Sequence, residues 1–144
     1  MKAKHFLDRL DHDKIVAAIA HAEQHTSGEI RVFVSHRRVK DPLTAAAVRF
    51  EKLQMNKTKH RNAVLIFVAP PSQVFSIIGD AAVHAKCGDL FWKRVASELG
   101  DFFRERKFTE GIVHAIQIAG KLLAEHFPRS AADKNELPDS VVDG

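Results

Sequence analysis

The chain has no tyrosine, one cysteine, one tryptophan and two methionines among 144 residues. A lone Cys87 excludes an internal disulfide and a cysteine-built metal centre, and nothing here demands an oxidising compartment. Glycine and proline are scarce, at 7 and 5 residues, which excludes collagen-like and low-complexity architectures. No apolar run approaches the ~20 residues of a membrane span. The charges scattered through Met1–Arg9 leave no room for the apolar centre of a signal peptide. These absences lead us to expect a soluble, cytoplasmic protein. Also missing are a phosphate-binding glycine loop, a Gly-x-Ser-x-Gly elbow and a dinucleotide fingerprint. The nine histidines are dispersed, and none stands at zinc spacing with cysteine or acidic partners.

What is present is globular. The apolar fraction is 45% and the charged fraction 28%, and a chain of 144 residues can bury one core without staples. The net charge of +4 is modest, but it is unevenly spread. Segment 31–61 carries nine basic residues against Asp41 and Glu51, whereas 130–144 carries four acidic residues against Lys134. The basic stretch is a candidate surface for an acidic protein, lipid headgroups or another polyanion. Nucleic acid ranks last, because single-strand binders present exposed aromatics and most phenylalanines here fall at core positions.

Hydrophobic spacing predicts four helices and three strands. Ile15, Ile19 and Ala22 mark a helix over 11–25, which Asp11 or Asp13 caps and Gly28 follows. Strand one covers 29–35 and is rich in β-branched residues. Asp41-Pro42 opens a second helix whose buried stripe is expected at Leu43, Ala47, Phe50 and Leu53. Residues 62–69 are almost continuously apolar, the mark of a strand covered on both faces. Pro70-Pro71-Ser72 turns the chain into strand three, 73–78, as an antiparallel hairpin. A short helical piece reaches His84, a loop follows over 84–89, and Asp89 caps a long helix to Glu105. Thr109 caps the last helix, with Phe108 and Val113 as a staple, and Pro128 stops it. The expected fold is an α/β/α sandwich with a small mixed sheet: one domain over 1–128, followed by an acidic, frayed tail over 129–144.

This topology gathers residues that lie far apart in sequence. Strands one and two are joined by a crossover helix and run parallel, while strand three returns. The starts of strands one and two and the end of strand three therefore share one edge. Glu29, Asp80 and Asp89 could converge there, with Arg61, Asn62, His84 and Lys86 around them. Three carboxylates suit a hard divalent cation, calcium or magnesium, which takes oxygen ligands. Both aspartates are equally explained as helix caps, and Glu29 as a strand-edge residue. Lys86 and a helix start beside Cys87 would lower its thiol pKa.

The stretches Thr26-Ser27-Gly28-Glu29-Ile30-Arg31-Val32, Arg61-Asn62-Ala63-Val64-Leu65-Ile66 and Gly79 through Trp92 resemble, in order and spacing, the TPM domain family. The stretch from Phe103 to Gly111 fits as well, and the likeness spans about residues 10–128. The resemblance implies an α/β/α sandwich and calcium-like cations held at one sheet edge by carboxylates, here Glu29, Asp80 and Asp89. It also implies weak acid phosphatase activity of the kind ascribed to plant relatives, and membrane-attached or exported relatives. The sequence departs from the family at Ala63 and Ala82, where glycine is common, and in the thinner carboxylate content after strand three. With no nucleophile–base pair in the pattern, the function expected first is an accessory or interaction module with a protein partner, membrane-associated or not. The module would carry a weak cation site, with affinity on the order of 10⁻⁴–10⁻³ M. A weak metal-dependent acid phosphatase is the alternative, and polyanion binding through 31–61 is the third reading.

Overall fold

Alternation along β2 (Ala63–Ala69) sets the layering. Ala63, Leu65, Phe67 and Ala69 enter one apolar cluster, while Val64, Ile66 and Val68 enter the other. All seven residues are buried, as a strand sandwiched between two helical layers requires. The computed structural model describes residues 1–130 and 139–144. Among these, α1 (Ala3–Asp8), α2 (His12–Glu23), α4 (Ala81–Arg104) and α5 (Phe108–His126) contribute to the larger cluster. Helix α3 (Pro42–Lys52) covers the opposite face with Ala46 and Phe50. The result is the three-layer sandwich expected from the pattern.

Strand β1 (Glu29–Val34) pairs with β2 in parallel, Glu29 beside Ala63 and Val34 beside Val68. Strand β3 (Val74–Gly79) runs antiparallel to β2, with Val64 opposite Gly79 and Ala69 opposite Val74. A single 3₁₀ turn, Pro70–Ser72, connects them, and Gln73 closes it at φ 54°.

Five features depart from the sequence expectation. The buried stripe of α3 is Ala46 and Phe50, whereas Leu43 and Ala47, expected to be inward, are exposed, because the helix lies on the sheet turned toward Ala46. The tail is not frayed at its end: β4 (Val141–Asp143) adds to β1 in parallel and gives the order β3-β2-β1-β4. Val141 packs against the larger cluster and Val142 against the smaller, and backbone bonds from His36 N to Gly144 O (2.6 Å) and Gly144 N to Val34 O (3.1 Å) fix the register. The short β-branched pair is hidden in the sequence by its acidic surroundings. The rest of the expected disorder, residues 131–138, lies outside the described residues. Helix α1 is not foreseen by spacing; Ala3 and Phe6 are too few to establish a helical period, and the helix exists because Phe6 is buried at 2% exposure. The expected loop over 84–89 is helical except at Gly88, where φ 70° and ψ 177° kink α4. Finally, Thr109 does not cap its own helix. Its hydroxyl accepts the Asp11 N–H at 3.0 Å, which ties the start of α5 to the start of α2.

Asp80, and not Asp89, is the N-cap of α4, while Asp11 and Asp41 cap α2 and α3. Asp11 accepts from Lys14 N, and Asp41 accepts from Leu43 N, Thr44 N and the Thr44 hydroxyl. These bonds satisfy amides that the first helical turn leaves without partners. No helix among the described residues is long and apolar enough to cross a membrane.

Candidate functional site

The amino ends of the two central parallel strands lie beside the end of β3, as the strand directions require. Asp80 N donates to Ala63 O at 2.9 Å, and Ala63 is the register partner of Glu29. The backbone at Arg61 is left-handed, φ 52°, and Arg61 O accepts from Ala82 N at 3.1 Å. From this turn the guanidinium grips Asp80 with two bonds, Nε to Oδ2 at 2.7 Å and Nη2 to Oδ1 at 2.9 Å. Asp80 Oδ1 also accepts from Ala81 N at 2.7 Å, so the same carboxylate caps α4. Asp80 is buried, Arg61 half-exposed, and the carboxylate raises the guanidinium pKa through hydrogen bonding and charge. A planar fork on a carboxylate is the strong form of this interaction.

The remaining predicted residues take different roles. Asn62 is buried, and its amide donates to the Ser27 hydroxyl at 3.0 Å, which joins the entries to β1 and β2. Glu29 is buried at the start of β1. His84 and Asp89 face each other across the Gly88 kink, Nδ1 to Oδ1 at 3.4 Å, both largely in solvent. Lys86 places its ammonium 5.3 Å from the centre of the Phe127 ring. The Cys87 thiol pKa is raised, not lowered: burial and the negative charge of Glu125 outweigh Lys86.

Two carboxyl groups that the sequence reading passed over matter more than Asp89. Glu23 closes α2, is buried, and accepts from Ile30 N through Oε2 at 2.8 Å. Burial, a hydrogen bond with Asp139 and the charge of Glu29 push its pKa up to about 10. Burial is the first of these causes, so the site favours the protonated form of Glu23. The signal was available: Glu23 lies four residues after Ile19, on the buried stripe of α2, where a charged residue is out of place. Asp139 carried no such signal.

The donor set does not fit a hard divalent ion as it stands. Asp80 is committed to Arg61 and to its own helix, Asp89 stands in solvent, and no group of three or more His, Cys, Asp or Glu side chains among the described residues is placed to hold a metal. Arg61 supplies positive charge where a cation would otherwise supply it. Chemically, the Arg61–Asp80 pair and the Asn62–Ser27 bond pin β1, β2, β3 and the start of α4 together.

No curated protein matches the chain. A solved NMR structure does: the BA42 protein of the psychrophilic bacterium Bizionia argentinensis, 37% identical, with 92% of each chain covered and a TM-score of 0.84. The TPM domain model matches residues 1–122. The match takes in the Ser27-Gly28-Glu29 entry to β1, the Arg61-Asn62 entry to β2 and the Gly79-Asp80 exit from β3, and the chain belongs to the TPM domain family.

Proposed function

We propose that the chain is an accessory or interaction module whose contact face is the basic segment 31–61, built around the outer side of α3, and whose partner is an acidic protein surface, membrane-associated or free. One observation carries this reading. Two of the three large apolar side chains exposed among the described residues, Leu43 at 57% and Val48 at 49%, stand on α3 within the most basic stretch of the chain. Apolar anchors rimmed by cations fit an acidic, partly apolar partner, and the charges would steer its approach.

Calcium or magnesium at Glu29, Asp80 and Asp89 competes with this arrangement of charge, because the ion must displace Arg61 from Asp80. A weak metal-dependent acid phosphatase would draw on the same three carboxylates and meets the same obstacle. Direct polyanion binding through 31–61 is the electrostatic part of the proposed reading without its apolar anchors.

The test is an NMR titration of the full chain with poly-L-glutamate. The reading expects amide shifts confined to residues 37–61, weakened by salt and by the pair Lys52→Glu and Lys57→Glu. It also expects Leu43→Ser with Val48→Ser to weaken binding at unchanged net charge. Shifts that ignore 37–61 would overturn it. Equal binding of the serine variant would reduce it to plain polyanion attraction.

A further inference from the structure

An aromatic cavity lies at the opposite end of the sheet from Asp80, where β2 ends and β3 begins. It encloses about 500 Å³ and reaches Val68, Ala69 and Pro70, a size within the usual range of small-ligand sites. In open α/β sheets, ligands favour the carboxyl ends of parallel strands, and this is that end of β2. The wall is aromatic. Phe6 of α1, Phe75 of β3, Phe103 of α4 and Phe108 of α5 all line it. Their rings meet edge-on or tilted, with Phe6–Phe108 centroids at 4.9 Å and Phe75–Phe103 at 5.4 Å. Gly100 of α4 makes room: a Cβ there would come within 3.1 Å of Phe75 Cζ.

The charged side chains of the lining have one sign, and Gln73 is the uncharged polar one. Arg104 and Arg106 are exposed at the rim, and no carboxylate lines the cavity. Arg104 is bonded to Asp101 on the outer side of α4. Arg106 sits just past the end of α4 at φ 60°, a position where glycine is the ordinary occupant.

We propose that this cavity is a binding site for a single small amphiphilic anion, a medium-chain carboxylate whose tail lies among the four phenylalanine rings and whose head is met by Arg104 and Arg106. The tail would contribute apolar burial and the arginines orientation and selectivity for charge.

Decanoate, with decanol as its uncharged counterpart, tests this on the full chain by ¹⁵N–¹H NMR. The expected result is saturable shifts at residues 68–75 and 100–108, with decanol bound about tenfold more weakly. In the variant Arg104→Gln with Arg106→Asn, decanoate falls to the affinity of decanol while decanol is unchanged. Asparagine tolerates the left-handed backbone at 106, both positions are exposed, and the dispersion of the free spectrum reports that the variant is folded. Equal decanoate affinity in the variant overturns the assignment. So do shifts away from the cavity, no saturable shifts, or binding to anionic phosphatidylglycerol vesicles without binding to monomeric decanoate.

Discussion

The two ends of the sheet solve opposite problems. At the amino end of β1 and β2, buried carboxyl groups are held from within: Asp80 is gripped by Arg61, and burial favours the protonated form of Glu23, which accepts from Ile30 N. At the end where β2 meets β3, four phenylalanines leave open space under an arginine rim. The first end uses its polar groups to hold strands together, and the second sets Arg106 and the Asp101-paired Arg104 at the rim of a cavity. The difference teaches that residues matching a family pattern can serve to fasten the fold, here through Arg61, Asn62 and Asp80.

Phe6→Ala should give the largest effect on this comparison. Phe6 is fully buried against Phe103 and Phe108, so removing its ring should cost about 3–5 kcal/mol in urea unfolding. A loss under about 1 kcal/mol would mean that the aromatic wall does not hold α1.

Glu23→Gln comes next and addresses the amino end. Folded, Glu23 holds its proton up to about pH 10; unfolded, it loses it near its ordinary value of 4.5. Its contribution is therefore fully present below about pH 4.5 and is lost as pH rises toward 10. The wild type should therefore lose stability as pH rises from about 5 toward 9. The glutamine variant should lack that slope, and parallel curves for the two chains would remove the buried, protonated Glu23 from the account.

The aspartates separate cap from ion pair. Asp80→Ala should cost about 1–2 kcal/mol from the cap alone. Asp80→Asn keeps a cap but loses the Arg61 fork, so it should still destabilise the wild type. In a chain already carrying Arg61→Asn, the further change Asp80→Asn should cost nothing, because the fork is gone. If Asp80→Asn proves silent in thermal unfolding of the wild type, the cap explains the residue and the fork contributes nothing. Asp89→Asn should be smallest, within about 0.5 kcal/mol, since the exposed His84–Asp89 pair is solvent-screened.

Much of the sandwich was legible because periodicity is local. The unbroken apolar run of β2 announced two covered faces, and Pro70-Pro71-Ser72 announced the hairpin. The crossover between β1 and β2 then fixed which residues share an edge, so Glu29, Arg61, Asn62 and Asp80 were placed correctly without coordinates. Their pairing was not legible. Whether a carboxylate meets a metal or a guanidinium depends on the left-handed turn at Arg61, which no spacing rule demands at an arginine. Strand β4 was missed because three residues carry too little pattern. The Phe-lined cavity was missed because its walls come from α1, β3, α4 and α5, each of which reads as ordinary core on its own.

The central claim is that Arg61 already neutralises the sheet edge where the family resemblance implies a cation. A calcium titration of the wild type and Arg61→Asn, followed by amide shifts at residues 29, 80 and 89, tests it most directly. Asparagine preserves the left-handed backbone at 61 and removes the guanidinium. The account predicts that millimolar calcium leaves these amides of the wild type in place and moves them in Arg61→Asn. Shifts with the same midpoint in both chains, or in the wild type alone, would contradict it.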